Sequence, residues 1–197
     1  VDGSLGCTAM SPTRPDVIRE IHEGYLEAGA DAVETDTFGA TPLVLAEYGL
    51  ADRAIEINRA AGRVAREAAA KFRNRFVLGS VGPTTKAISV TGGVTFDELL
   101  QTFRVQGLGL LEGGVDGFLI ETCQDTRNIK AALLGLRDAC REAGARVPFL
   151  ISATIEPMGT MLAGQGVEAL YAAVEDAGIL SIGLNCGTGP GFMTDHL

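Results

Sequence analysis

Cys186 stands in the stretch Ser181-Ile-Gly-Leu-Asn-Cys-Gly-Thr-Gly-Pro-Gly191, where an apolar run ends at Asn185 and glycine takes over. A thiol at a strand tip, followed by a glycine-rich loop, can serve as a metal ligand or a nucleophile, because the thiolate does both jobs. The competing reading is a small buried hydrophobe, the common fate of an isolated cysteine. The position, at a strand end before a glycine loop, favours function; the spacing does not, since no second cysteine lies close to it in sequence. Glu34 and Glu121 each close an apolar run. A carboxylate there must be paired, hydrated or used. Each is therefore half of a salt bridge to a neighbouring loop or a binder for a cationic group such as a substrate ammonium. Asp2 heads Asp2-Gly-Ser-Leu-Gly6, either an ordinary turn aspartate or the start of a tight turn whose N–H groups cradle a carboxylate.

Other candidates carry less. Cys140 shares a helical stripe with Leu133 and Leu136 and reads as core; Cys7 reads as a structural or loop thiol. Cys123 follows Glu121 closely. If the strands ending at Cys123 and Cys186 flank a third, their backbones are about 9–10 Å apart. Two cysteine Cα atoms on one zinc are usually about 6–7 Å apart, so this pair does not share a metal. His22 reads as lying on the solvated side of a helix and His196 at a frayed end, and neither makes a persuasive base. The stretches Gly-Pro-Thr-Thr-Lys (82–86) and Ala-Gly-Gln-Gly (163–166) use the residue types of phosphate loops, but so do plain β/α loops.

The elements that hold these residues announce themselves by repetition. An acidic residue, a small one, a glycine and an apolar run recur from Glu27, Glu112, Glu142 and Asp176. This is the pattern of a helix closed by a left-handed glycine, then a loop into a buried strand. Continuous apolar runs mark strands buried on both faces, as in parallel sheets. Between them lie helical stripes: Val17, Ile18, Ile21, Tyr25 and Leu26; Ile57, Ala61, Val64 and Ala68; and Ile129, Ala132, Leu133, Leu136 and Cys140. Thr95 and Glu98 form a capping box ahead of Phe96, Leu99, Leu100 and Phe103, and a shorter helix is expected over 167–177.

Strands are thus expected over 1–5, 32–37, 76–81, 117–122, 149–155 and 181–185, alternating with helices. Such alternation allows a doubly wound sheet or a (β/α)8 barrel. The Gly-x-Gly-x-x-Gly of a dinucleotide-binding unit does not follow the first strand. Glu34, Asp36, Glu121, Gln124, Asp125, Glu156, Asn185 and Cys186 gather at strand ends, where a barrel keeps its active site. The expectation is an α/β fold, a (β/α)8 TIM barrel that here lacks the last two β/α units, as one domain over 1–197.

A chain of 197 residues can bury a real core. Its net charge of -9 argues against nucleic acid, which needs a basic face. No run of about 18 apolar residues is present, which argues against a membrane span. The start shows no basic, then apolar, export segment. Four scattered cysteines read as reduced thiols rather than a disulfide framework, so a cytoplasmic protein is expected.

Six motifs in this order, DGSLG, TRPDVIREIHEGYLEAGADAVETDTFGA, VLGSVGPT, ETCQD, GTMLAGQ and IGLNCGTGP, carry a resemblance across nearly the whole chain. It resembles the homocysteine S-methyltransferase family, in the form of the homocysteine-binding barrel of cobalamin-dependent methionine synthases. The resemblance implies a zinc held by three cysteine thiolates, one in a G-x-N-C motif that matches Cys186. The adjacent pair that supplies the other two has no counterpart within 1–197. It also implies that Asp2 and Glu121 hold the homocysteine ammonium, with Gly3 and Asn185 near the amino-acid head. Zinc would make the substrate thiolate, methylcobalamin bound by another module would donate the methyl group, and 5-methyltetrahydrofolate would be the ultimate donor. Folate- and cobalamin-binding modules of the same parent protein are the implied partners. Two alternatives remain: the same zinc chemistry with S-methylmethionine or betaine as donor, and a non-catalytic barrel fragment, since 1–197 alone is expected to be inactive. The family usually has a longer segment between the first glycine turn and TRPD than the one that follows Gly6 here.

Overall fold

The computed structural model describes residues 10–196. The strand expected over 1–5, the substrate-binding candidates Asp2 and Gly3, Cys7 and the Gly6–Cys7 junction lie outside the described residues. Helical segments separate every strand from the next. Five strands, β1 (Ala32–Glu34), β2 (Phe76–Val81), β3 (Gly117–Cys123), β4 (Phe149–Ala153) and β5 (Ser181–Leu184), form one parallel sheet in sequence order. The helices are α1 (Met10–Thr13), α2 (Pro15–Glu27), α3 (Pro42–Leu45), α4 (Ala54–Ala69), α5 (Phe96–Gly113), α6 (Thr126–Ala143), α7 (Val167–Val174) and α8 (Pro190–Met193).

The repeated phrase is what ends the helices. Gly29, Gly114, Gly144 and Gly178 all adopt positive φ, between 56° and 105°, where a side chain would meet the following carbonyl. At the other end of α5, Thr95 accepts from the Glu98 N–H while the Glu98 carboxylate accepts from the Thr95 N–H, so the expected capping box is present.

Each strand neighbours the next in sequence, and the crossover helices pack in series: α2 on α4, α4 on α5, α5 on α6, and α7 on α6. The sheet is therefore wound in one direction with its long helices in one layer, without the reversal of strand order that defines a doubly wound fold. Val33, Val77, Phe118, Ile120, Ile151 and Ala153 point into the core under that layer, with Leu110, Ile129, Leu136 and Leu170 from the helices. The alternate positions, Glu34, Leu78, Ser80, Leu119, Glu121, Leu150 and Ser152, line the opposite face, as the period of two requires. Among the described residues β5 pairs with β4 alone, so one of its edges has no strand beside it.

The strands at 32, 149 and 181 stop at Glu34, Ala153 and Leu184, short of the expected limits. The stripe on α2 needs a larger correction. Ile18, His22 and Leu26, spaced four apart, form the buried face against α4, while Ile21 and Tyr25 are 49% and 66% exposed. His22 is thus buried rather than solvated, and burial pushes its imidazole pKa below the ordinary range. Ile57, Ala61, Val64 and Ala68 on α4 and Ile129, Ala132, Leu133, Leu136 and Cys140 on α6 are buried as expected. No helix among the described residues is long and apolar enough to cross a membrane.

Glycine sets how closely the helix layer packs. A Cβ on Gly135 of α6 would lie 2.3 Å from the Leu100 carbonyl oxygen and 3.1 Å from Phe103 Cβ on α5. Gly24, on α2, has nothing within 4 Å of such an atom. Gly135→Ala is therefore expected to lower stability by about 1–3 kcal/mol through overpacking. Gly24→Ala is expected to raise it by about 0.5–1 kcal/mol, by relieving the entropic cost of a mid-helix glycine. Urea midpoints of the two variants, read against the parent, check both signs.

Candidate functional site

The C-terminal ends of parallel strands share one rim, and two polar ties shape it. The first joins β1 to β2. Ser80 N–H donates to Thr35 Oγ1 at 3.0 Å, and Thr37 Oγ1 donates to the Ser80 carbonyl at 2.7 Å. With the Thr37 proton engaged, Thr35 is the donor in the 2.6 Å contact between the two threonine hydroxyls. Gln106 reaches in from α5 and donates to the Thr37 carbonyl at 2.8 Å. All four residues are buried. The ladder is thus continued by side chains after the regular strand stops.

The second tie joins β3 to β5 across β4. The Thr122 N–H donates to Asn185 Oδ1 at 3.2 Å, and Asn185 Nδ2 donates to Thr122 Oγ1 at 2.9 Å. The Asn185 backbone is held too, its N–H by the Ala153 carbonyl and its own carbonyl by Thr154 Oγ1. Thr122 lies where the β3–β4 register shifts, with φ 59°, and Cys186 has φ 60°. Left-handed backbone at a non-glycine residue costs about 1–3 kcal/mol and persists where its surroundings hold it. Here the Asn185 bridge is what holds both. It turns Cys186 out of the strand direction, and the thiol is exposed.

Glu121 is the residue just before Thr122, on the face opposite the helix layer. Ser80 Oγ donates to Glu121 Oε1 at 2.5 Å. Glu34 reaches the same place from β1 and hydrogen-bonds the Glu121 carboxyl. Burial, and then the charge of Glu121 beside it, push the Glu34 carboxyl up to about 7. Asp36, half-buried and hydrogen-bonded by Ser11, is pushed up to about 6 by burial. The rim therefore holds carboxyl groups that resist ionisation together, a setting that favours a cation between them.

The remaining candidates separate by burial. Cys123 faces the core at 1% exposure, and burial pushes its thiol up to about 12, which removes it as a thiolate at neutral pH. Cys140 is core, as expected. Asp125 is a structural cap on α6, accepting from Arg127 N–H, and it also accepts from Ser89 N–H. Gln124 and Glu156 hydrogen-bond each other at 2.5 Å. In the stretch 82–86 the Thr84 hydroxyl is engaged by the Lys86 carbonyl and that of Thr85 by Glu47, so the loop closes on itself. His196 packs over Gly159. Among the described residues no three His, Cys, Asp or Glu side chains are gathered as a metal site. Cys186, Asn185 and Glu121 do come together at one rim, with Glu34 added. Ser80 and Thr122 escaped sequence reading, although a serine inside the apolar run 76–81 was a visible signal.

Against this geometry, comparison with known proteins is decisive for kinship. The profile of the Homocysteine S-methyltransferase family matches residues 1–197. The chain belongs to that family. It is 44% identical over 200 residues to methionine synthase of Mycobacterium tuberculosis (strain ATCC 25618 / H37Rv), covering 99% of this chain and 17% of that protein. The methionine synthase of Mycobacterium leprae (strain TN) is likewise 44% identical, covering 99% of this chain and 16% of that protein. The chain thus spans about a sixth of the length of these relatives. In fold it is similar to the metallated form of the homocysteine methyltransferase MmuM from Escherichia coli, with a TM-score of 0.77, 22% identity and coverage of 93% of this chain and 67% of that one. The apo form of the same enzyme gives a TM-score of 0.70 at 21% identity, covering 92% of this chain and 65% of that one.

The raised carboxyls give this member of the homocysteine S-methyltransferase family a pH signature. A carboxyl whose folded pKa lies above its ordinary value binds protons more readily folded than unfolded. Its contribution is full below the ordinary value and is lost as pH rises through the folded one. For Glu34 that window runs from 4.5 to about 7. Thermal midpoints of the parent chain should fall across this range, and Glu34→Gln should flatten part of that fall. An unchanged slope in the variant would place the titration elsewhere.

Proposed function

We propose that this chain is the homocysteine-binding unit of a cobalamin-dependent methionine synthase. In this reading the five strands are an arc of a (β/α)8 barrel, completed by units outside the described residues. The strand order, the single helix layer and the likeness to the MmuM fold support it. Residues 1–197 then act as one domain, and the folate- and cobalamin-binding modules lie in the rest of the parent protein, whose relatives are roughly six times longer. The observation that supports the reading most is the Asn185–Thr122 bridge, which sets an exposed thiol and a strand-end carboxyl at the same rim.

Glu121 accepts the homocysteine ammonium, joined by Asp2 at the turn whose next residue, Gly3, lies near the amino-acid head. Asn185 keeps one Nδ2 hydrogen and a lone pair beyond its bonds to Thr122, enough to touch that head as well. Cys186 supplies one thiolate to a zinc ion. The described residues fit a single corner of such a site and not the whole of it, so the other ligands come from elsewhere in the parent. Zinc coordinated by thiolates would hold the substrate sulfur as a thiolate at neutral pH, the form that accepts a methyl group. The amino-acid end, fixed at Glu121, aims that sulfur toward Cys186. The thiol proton would go to solvent, and methylcobalamin bound by another module would supply the methyl group, with 5-methyltetrahydrofolate as ultimate source, to give methionine.

The alternative with S-methylmethionine or betaine as donor has weaker support, since the relatives at 44% identity are methionine synthases. Residues 1–197 alone, with one thiolate at the rim, should hold zinc poorly and be inactive.

In the parent protein, Cys186→Ser should release most of the bound zinc and weaken homocysteine binding on the order of 100-fold, while folding normally. Metal analysis together with titration calorimetry reads both. A serine variant that keeps metal and ligand affinity would sink the assignment of Cys186.

A further inference from the structure

We infer that Ser80 is a positioning residue for homocysteine: its hydroxyl fixes Glu121 as the carboxylate that meets the substrate ammonium. The inference rests on the reading of Glu121 given above and names the device that makes it work. Ser80 is 2% exposed, and both its backbone polar groups are tied down, the N–H by Thr35 and the carbonyl by Thr37. Gln106 anchors Thr37 in turn. The hydroxyl therefore has one place to go, and it donates to Glu121 Oε1 at 2.5 Å. A donor held this way fixes the direction in which its acceptor carboxyl points.

That orientation matters because Glu34 touches the same carboxyl. Two carboxyl groups in contact do not both ionise readily, so one of them carries a proton. Ser80 donates to Glu121 and not to Glu34, so Glu34, which stays protonated towards neutrality, can present its own proton to the same carboxylate. The tendency of Glu34 to stay protonated up to about 7 agrees with that division. With two donors on it, the Glu121 carboxylate is held in a single orientation, ready for an ammonium group on the open face of the sheet. Without Ser80 the Glu121 carboxylate loses the fixed donor that sets its orientation.

The test compares two ligands on the full parent protein: homocysteine, and 4-sulfanylbutanoate, which keeps the thiol and carboxylate but lacks the ammonium. The ratio of their dissociation constants cancels whatever the sulfur contributes. Ser80→Ala is expected to lower the preference for homocysteine by about tenfold to a hundredfold, the worth of one hydrogen bond to a charged group, and to leave affinity for the amine-free ligand nearly unchanged. Ser80→Thr, which keeps the hydroxyl, should restore the preference to within about threefold of the parent, and melting curves confirm that both variants fold. Equal losses for both ligands would make Ser80 merely structural and overturn the inference. Glu121→Gln separates the two levels of the argument. If it abolishes the preference while Ser80→Ala does not, only the role of Ser80 fails. If Glu121→Gln leaves the preference intact, the ammonium reading itself is wrong.

Discussion

A parallel sheet wound in one direction delivers every strand end to the same rim, and the chemistry available to this chain depends on that constraint. Glu34, Glu121 and Cys186 are distant in sequence and sit on three different strands or the turns that follow them. They meet because each crossover returns the chain to the same end of the sheet, in the same direction. Ladder hydrogen bonds alone would still leave the ends frayed. The Thr35–Thr37–Ser80–Gln106 network and the Asn185–Thr122 bridge extend order beyond the last regular pair, each bond adding about 1 kcal/mol. Rigidity at the rim thus comes from side chains that act as backbone.

The alternation of helix and strand was legible in the sequence because it rests on local rules. Glycine after a helix, the Thr95–Glu98 box and apolar runs between them are signals read within a few residues, and the structure repeats them almost position for position. The α2 stripe was misread because apolar character alone cannot say which side of a helix meets its neighbour. Ile21 and Tyr25 match Ile18 and Leu26 in hydropathy, yet the spacing of four through His22 selects the buried face. A histidine in that row costs desolvation, and nothing local announces it. At the site, Glu121 and Cys186 were legible as polar residues closing apolar runs. The partnership of Ser80 and Glu34 with Glu121 was not, because it is a diagonal contact across strands that only the register reveals.

Two cysteines at the ends of strands illustrate how position, rather than residue type, decides chemistry. Cys123 closes β3 but points into the helix layer, where burial holds it as a thiol. Cys186 lies just past β5, and the left-handed turn at that residue carries it out of the core. Had the backbone there continued as a strand, the pleat would have sent alternate side chains under the helices. The strain of a positive φ is thus the means by which a thiol escapes burial. Asn185, tied on both its side chain and its backbone, is what keeps the turn from relaxing.

The same logic explains why carboxyl groups are tolerated on the inner face. A charged group under the helix layer would have to be neutralised; on the face opposite, part of each side chain reaches solvent, more of Glu34 than of Glu121, while the Glu34 carboxyl remains partly shielded. Partial burial, and then the charge of Glu121 beside it, keep Glu34 protonated near neutrality. Such an arrangement lowers stability as pH rises, so it persists only where it serves binding, and a cation placed between the two carboxyls would turn the repulsion into attraction. In the proposed reading, the ammonium of the substrate would sit at that carboxyl pair and its thiol near Cys186. On that reading, the unfavourable electrostatics of the carboxyl pair and the binding of an ammonium are two aspects of one design.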